Sequence, residues 1–342
     1  MLYNKLFSSG VMKTEYIAIT HDGTPYISVY RWTATSGFGT KFSDPATTPT
    51  GTAYNPEFSK SNAYLAVSHA VSPFVTVYPW SSSGFGTKYA NPATLPTGQG
   101  NGVSFTPSAT SIAISHAGTP FVAAYPWSSS GFGTKYANPG TLPGGAGNAI
   151  AFSPNGNQLA VGHTGTPYIS VYPWSPGFGT KYANPGTLPT GNAFGVNFSP
   201  DGSNIAVVHA STPFISVYPW SPGFGTKYTN PGTLPASTGR GISFSADGNQ
   251  IAVAHTGTPY ITAYPWTSTG FGTKYTNPGT LPAGVGYSVA FSADNTAIAV
   301  AHVTTPFISV YRWSSSGFGT KYANPGTALS ASATTAYGVT FG

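Results

Sequence analysis

Seven histidines stand at one point of a repeated pattern: His21, His69, His116, His163, His209, His255 and His302. The steps between them are 48, 47, 47, 46, 46 and 47 residues. An imidazole can ligate a metal or move a proton, so seven in register invite both readings. A metal site, however, needs several ligands converging within a few ångströms. Here each histidine is a whole repeat from the next, with no recurring acidic or thiol partner. The histidines are therefore read as structural, capping a strand and hydrogen-bonding inside the repeat. No metal and no cofactor are expected.

Seven lysines recur in a GFGTK pentapeptide: Lys41, Lys88, Lys135, Lys181, Lys227, Lys274 and Lys321. An aromatic ring follows each one: Phe42, Tyr89, Tyr136, Tyr182, Tyr228, Tyr275 and Tyr322. Lysine beside an aromatic can hold an anion or a sugar, which makes Lys88/Tyr89, Lys135/Tyr136, Lys181/Tyr182, Lys227/Tyr228 and Lys274/Tyr275 candidate ligand sites. The other reading is that lysine on an outer strand guards a sheet edge against further pairing. The GFG glycines lack the spacing and the helix of a phosphate loop. They suit a turn that needs positive φ.

Other chemistry is thinly provided. The chain has 7 acidic residues in 342 and no cysteine. Asp201, Asp247 and Asp294 fall in hairpin turns. No Ser/His/acid set repeats, and paired-carboxylate hydrolysis has little material. The residues thus read as those of a non-enzyme. The formal charge of +6 is spread around the repeats, whereas nucleic-acid binding wants a clustered patch.

The elements that carry these residues are short strands. Gly and Pro number 43 and 31, too many for long helices, and aromatics at 15% favour strands. Gly241 to Pro282 shows the unit: GISF, an Asp-Gly turn, IAVA, PYITAYPW ending in tryptophan, then TKYTN as a fourth strand. The tryptophans Trp32, Trp80, Trp127, Trp174, Trp220, Trp266 and Trp313 each follow a histidine by eleven residues, and are read as core. Four strands per unit at a period in the 40s describe a β-propeller blade. The chain is all-β, a seven-bladed propeller of four-stranded antiparallel blades, with residues 1–15 as an N-terminal arm and 16–342 as one domain. YGVTF at the C-terminus matches a first strand, so it is expected to pair with the N-terminal strand and close the ring.

Gly195–His209 and Pro213–Trp220 resemble the WD40 repeat in the SPDG hairpin and the terminal Trp. The Gly-His pair is absent, and Trp-Asp is replaced by Trp-Ser or Trp-Thr. The HxGTPYISVYPW…GFGTKY form resembles repeat proteins encoded by tailed bacteriophages. That resemblance implies a virion component of tail, fibre or capsid surface, with other virion or assembly proteins and surface glycan as partners. A multivalent lectin is the alternative, and an intracellular WD40-type scaffold the third. No secretion signal or membrane-spanning run is read in the sequence, and neither nucleic-acid binding nor membrane insertion is expected.

The departures from the repeat also carry information. Arg31 and Arg312 replace the Pro before Trp in the first and last units. They read either as a partner-binding seam with the N-terminal arm or as repair of packing at an irregular junction. Arg240, the third arginine, reads as a loop residue.

Overall fold

The computed structural model describes residues 15–342. The expected arm, Met1–Glu15, lies outside them except for Glu15, which opens a strand. Seven antiparallel sheets make up the described chain, five of four strands and two of three. The inner strands are, in order, Ala53–Phe58, Gly100–Phe105, Gly147–Phe152, Ala193–Phe198, Gly239–Phe244, Gly286–Phe291 and Ala336–Phe341. The last of these pairs with Glu15–His21, so the first blade joins the two ends of the described chain and the ring closes as expected. No helix among the described residues is long and apolar enough to cross a membrane.

Each blade follows from its local chemistry. In the Ser199–Asn204 hairpin, Gly202 takes φ 72° and its N–H donates to Ser199 O at 2.8 Å. The Asp201 carboxylate accepts from the Ser203 N–H at 3.0 Å, tightening the turn. Second strands of Ile, Ala, Val and Leu are fully buried, which lets neighbouring sheets approach. Third strands then insert the large rings. Trp174, 5% exposed, meets Phe178 and Phe152 of its own blade and Tyr136 of the preceding one, all edge-on at 5.2–5.3 Å. Such contacts recur in every blade and bind each sheet to the next.

The fourth strand departs from expectation. It reaches the lysine in the first and last blades, as Gly37–Lys41 and Gly317–Lys321, but where TKYTN was the anticipated strand pairing is confined to Gly270–Phe271, and the outer strand is equally short at Gly84–Phe85 and Gly131–Phe132. It falls to a single bridge at Trp174–Phe178 and Trp220–Phe224. These two blades have Ser-Pro-Gly after Trp, one residue fewer than Ser-Ser-Ser-Gly after Trp80, so the chain turns before a ladder forms. The third strand also begins later than expected. Tyr260, anticipated to face the same way as Thr262, Tyr264 and Trp266, has φ 70° and ends a turn, its N–H donating to Gly257 O at 2.7 Å.

Candidate functional site in the central channel

Every inner strand carries a β-bulge at the same place. Residues one and three of the strand pair with successive partners of the second strand, as Gly147 does with His163 and Ala149 with Gly162, leaving residue two unpaired. The seven bulge residues are Tyr54, Asn101, Asn148, Phe194, Arg240, Tyr287 and Tyr337. All line a central cavity of about 640 Å³. A bulge re-aims a side chain that a regular ladder would hold to one face, and seven around an axis make a collar. Residue three is Gly, Ala or Ser in six of the seven strands, Asn55 being the exception, because the inner strands converge. A Cβ on Gly241 would lie 2.7 Å from Ser288 Cα.

Three residues further along each strand, at ~3.3 Å per residue and so ~10 Å along the chain, a second tier faces the same cavity: Glu57, Ser104, Ala151, Asn197, Ser243, Ala290 and Thr340. Glu57 is one of two glutamates in the chain. Its Oε1 accepts from the Phe105 N–H at 2.8 Å and the Ser104 hydroxyl at 3.3 Å, while Oε2 has no protein partner among the described residues. Burial in the channel wall raises its pKa to about 8, against the pull of those two donors. Four blades separate Glu57 from Arg240 in one direction and three in the other, so the two stand across the channel. Arg240 is therefore no loop residue. It lies in an inner strand, its guanidinium 4.3 Å over Phe194 and 5.6 Å over Tyr287.

The repeated residues lie elsewhere. All seven histidines are 0% exposed. Six donate to or accept from a Ser or Thr hydroxyl seven residues on, as His163 Nε2 does with Ser170 Oγ at 3.0 Å. In the third blade Ala123 replaces that hydroxyl, and neither nitrogen of His116 has a partner. Burial lowers the imidazoles, to about 4 for His21, His69, His116, His163, His209 and His255 and below the ordinary value for His302. They are neutral at physiological pH and spaced around the ring. The tryptophans are 1–6% exposed.

The candidate Lys/Tyr pairs are drawn into closing their own loops. The ammonium groups of Lys88, Lys135, Lys181, Lys227 and Lys274 donate to the amide of Asn91, Asn138, Asn184, Asn230 and Asn277 respectively, and to the carbonyl of the tyrosine that follows each lysine. Tyr89, Tyr136, Tyr182, Tyr228 and Tyr275 pack at 4.9–5.3 Å against the next blade's tryptophan. Each pair sits at its own junction between two blades, so none gathers into a shared site. These five lysines lie beyond the ends of their outer strands, whereas Lys41 and Lys321 end theirs, where the edge-guard reading placed all seven.

Arg31 and Arg312 are engaged within the ring as well. Arg31 donates to Ser82 O at 2.7 Å and stacks on Phe42. Arg312 donates to Ala34 O and Thr35 O, both at 3.0 Å, and stacks on Tyr322. Both join adjacent blades through the carbonyls of the turn after Trp, which is the packing reading of these residues. The arm that was to share a seam with them lies outside the described residues.

A seven-bladed propeller with a polar, bulge-lined channel is the class that fold and site define. No family profile matches the chain, and no curated protein is similar to it in sequence. Among solved structures it is similar to a Bacteroides fragilis protein provisionally described as a 6-phosphogluconolactonase, at 13% identity and TM-score 0.74 over 98% of this chain and 100% of that one. It is similar, too, to the periplasmic gluconolactonase of Pseudomonas aeruginosa, at 16% identity and TM-score 0.71 over 96% and 99%. Kuenenia stuttgartiensis hydrazine synthase shares the fold less closely, at 14% identity and TM-score 0.58 over 76% of each chain. Identities this low show the fold. The neighbours named here are enzymes, two of them lactonases by description, and none is a virion protein, a lectin or a WD40 scaffold. The expectations of a non-enzyme, a bacteriophage virion component, a lectin and an intracellular scaffold are corrected on that finding. Repetition conceals the channel, because its lining is assembled from one non-repeating residue per blade in each tier.

Proposed function

We propose that the channel is a hydrolytic site for lactones, with Glu57 as its proton-transfer group. The observation that carries this reading is a single channel-wall carboxyl with one oxygen held and the other free, raised to about 8, standing across from a lone guanidinium. A group with that pKa is a strong base once ionised and still ionises near neutral pH. The lactonase descriptions of similar propellers support the choice of a cyclic ester. In the proposed reaction Glu57 Oε2 takes a proton from water as its oxygen adds to the lactone carbonyl. The Asn197 side-chain amide, in the same tier and without a protein partner among the described residues, donates to the developing oxyanion. Collapse breaks the ring C–O bond, and Glu57 returns the proton to the departing alkoxide. Lactone and water become one hydroxy acid.

The test is ring opening of glucono-δ-lactone and 6-phosphoglucono-δ-lactone followed by pH-stat, corrected for spontaneous opening. Turnover should rise with pH toward about 8 as Glu57 ionises. Glu57→Gln should lose ~10²-fold or more with its melting temperature maintained. Failure of the wild-type chain to accelerate any lactone, or full activity in Glu57→Gln, would sink the proposal.

A further inference from the structure

We infer that Arg240 anchors a single carboxylate on the channel's substrate, which makes the substrate a flat lactone monoacid rather than a sugar phosphate. The inference builds on the hydrolytic reading of the channel.

The comparison with Arg31 and Arg312 is the starting point. All three arginines stack on an aromatic ring at 4.3–4.7 Å. Arg31 and Arg312 also donate to backbone carbonyls, so stacking and hydrogen bonding together account for them as packing. Arg240 stacks but makes no hydrogen bond or ion pair among the described residues, and its Nε is buried without a partner. The ion pair among those residues is Lys41 with Asp44, just past the end of an outer strand. Arg240 is half-buried: its Nε is shut off from water without a partner, which costs free energy, while its terminal nitrogens stay open to the cavity. That cost is offset when an anion enters.

The geometry around Arg240 selects the anion. One guanidinium offers a planar fork that matches the two oxygens of a carboxylate. A phosphate monoester carries about −1.5 to −2 charges near neutral pH, and no lysine or second arginine lines this cavity to balance the remainder. The walls select the body. Beyond Tyr287 the arc continues through Tyr337 at 5.0 Å to Tyr54 at 5.2 Å, giving a run of rings suited to a flat, apolar face. Asn101 and Asn148, on the opposite arc, commit their NH₂ groups to Gly147 O and Ala193 O. With Glu57 one tier away, the carboxylate and the ester belong at opposite ends of the molecule.

The probes are 5-carboxyphthalide, an aromatic lactone with a distal carboxylate, unsubstituted phthalide, and 6-phosphogluconate, titrated calorimetrically into the full chain. Wild type should bind the carboxylate at least about tenfold more tightly than phthalide, and more tightly than 6-phosphogluconate. Arg240→Met, checked by its melting curve, should abolish the preference, and Arg240→Lys, which keeps charge but not the fork, should lose most of it. Equal binding of the two phthalides by wild type, a preference surviving in folded Arg240→Met, or tighter binding of 6-phosphogluconate would overturn the inference. Carboxylate preference without ring opening of any lactone would remove the hydrolytic reading and leave the anchor. Lactone turnover with no such preference would do the reverse.

Discussion

The second and third strands of each blade repeat one solution seven times, whereas the inner strands use one backbone to present seven different side chains. His163, Trp174 and Tyr172 have buried counterparts in every blade, and all but His116 and Tyr311 make the same kind of contact. The bulge position holds Tyr, Asn, Asn, Phe, Arg, Tyr and Tyr. The difference follows from symmetry. A residue between blades meets the same surroundings seven times, so one best answer recurs. A residue at the axis meets a shared space, where seven identical side chains would make only a uniform ring. Repetition marks the residues that build the propeller, and loss of repetition marks those available to a ligand.

Acid should break this comparison most completely. Six of the histidines have folded pKa values of about 4 against an ordinary 6.5, and burial lowers the seventh, His302, as well, so below 6.5 the unfolded chain binds more protons than the folded one. Stability is therefore full above about pH 7 and is lost as pH falls through 6.5 toward 4. With seven such groups the loss should be steep, reaching unfolding before the histidines titrate in the native state. Denaturant melts at stepped pH would show it, and a flat profile from pH 7 to 4 would contradict the buried-neutral assignment.

A pair of substitutions separates wall from channel. Trp174→Ala removes a ring held by three aromatic neighbours and should cost ~3–5 kcal/mol. Glu57→Gln should cost none. The folded pKa of Glu57 lies above its unfolded value, so the native state is increasingly penalised as pH rises from about 4.5 to 8. The glutamine variant should melt at or above wild type at pH 8. If Glu57→Gln melts well below wild type, the carboxyl is holding blades together and the division between the two regions fails.

The smallest effect lies at the one blade that breaks the histidine rule. Ala123→Ser restores the hydroxyl that His163 finds in Ser170 and should stabilise by ~0.5–1.5 kcal/mol. Chemical denaturation resolves a change of that size. A loss of stability would mean that the pocket beside His116 has closed around alanine.

Much of the scaffold was readable in the residues. The period, the Asp-Gly hairpins, the Trp-terminated strands and the matching end segments led to seven blades and a latched ring. The outer strand extends to its lysine only at Gly37–Lys41 and Gly317–Lys321 among the described residues, although all seven copies share strand composition there, so local composition overestimates it. The candidate site was hidden although its signal was present. Glu57 and Arg240 are among the rarest residue types in the chain and both stand in inner-strand segments, Arg240 at the bulge and Glu57 in the second tier, yet a bulge has no signature in a single strand.

The sequence by itself determined the repeated unit, because turn chemistry, alternation and ring size are local and were written seven times. Only the tertiary structure decided which residues share a space. Glu57 and Arg240 are 183 residues apart and come to line one channel through ring closure. Arg31 and Arg312, equally conspicuous in the sequence, are taken up by neighbouring carbonyls. What separates the two fates is the bulge, which turns Arg240 toward the axis and leaves its donors unanswered.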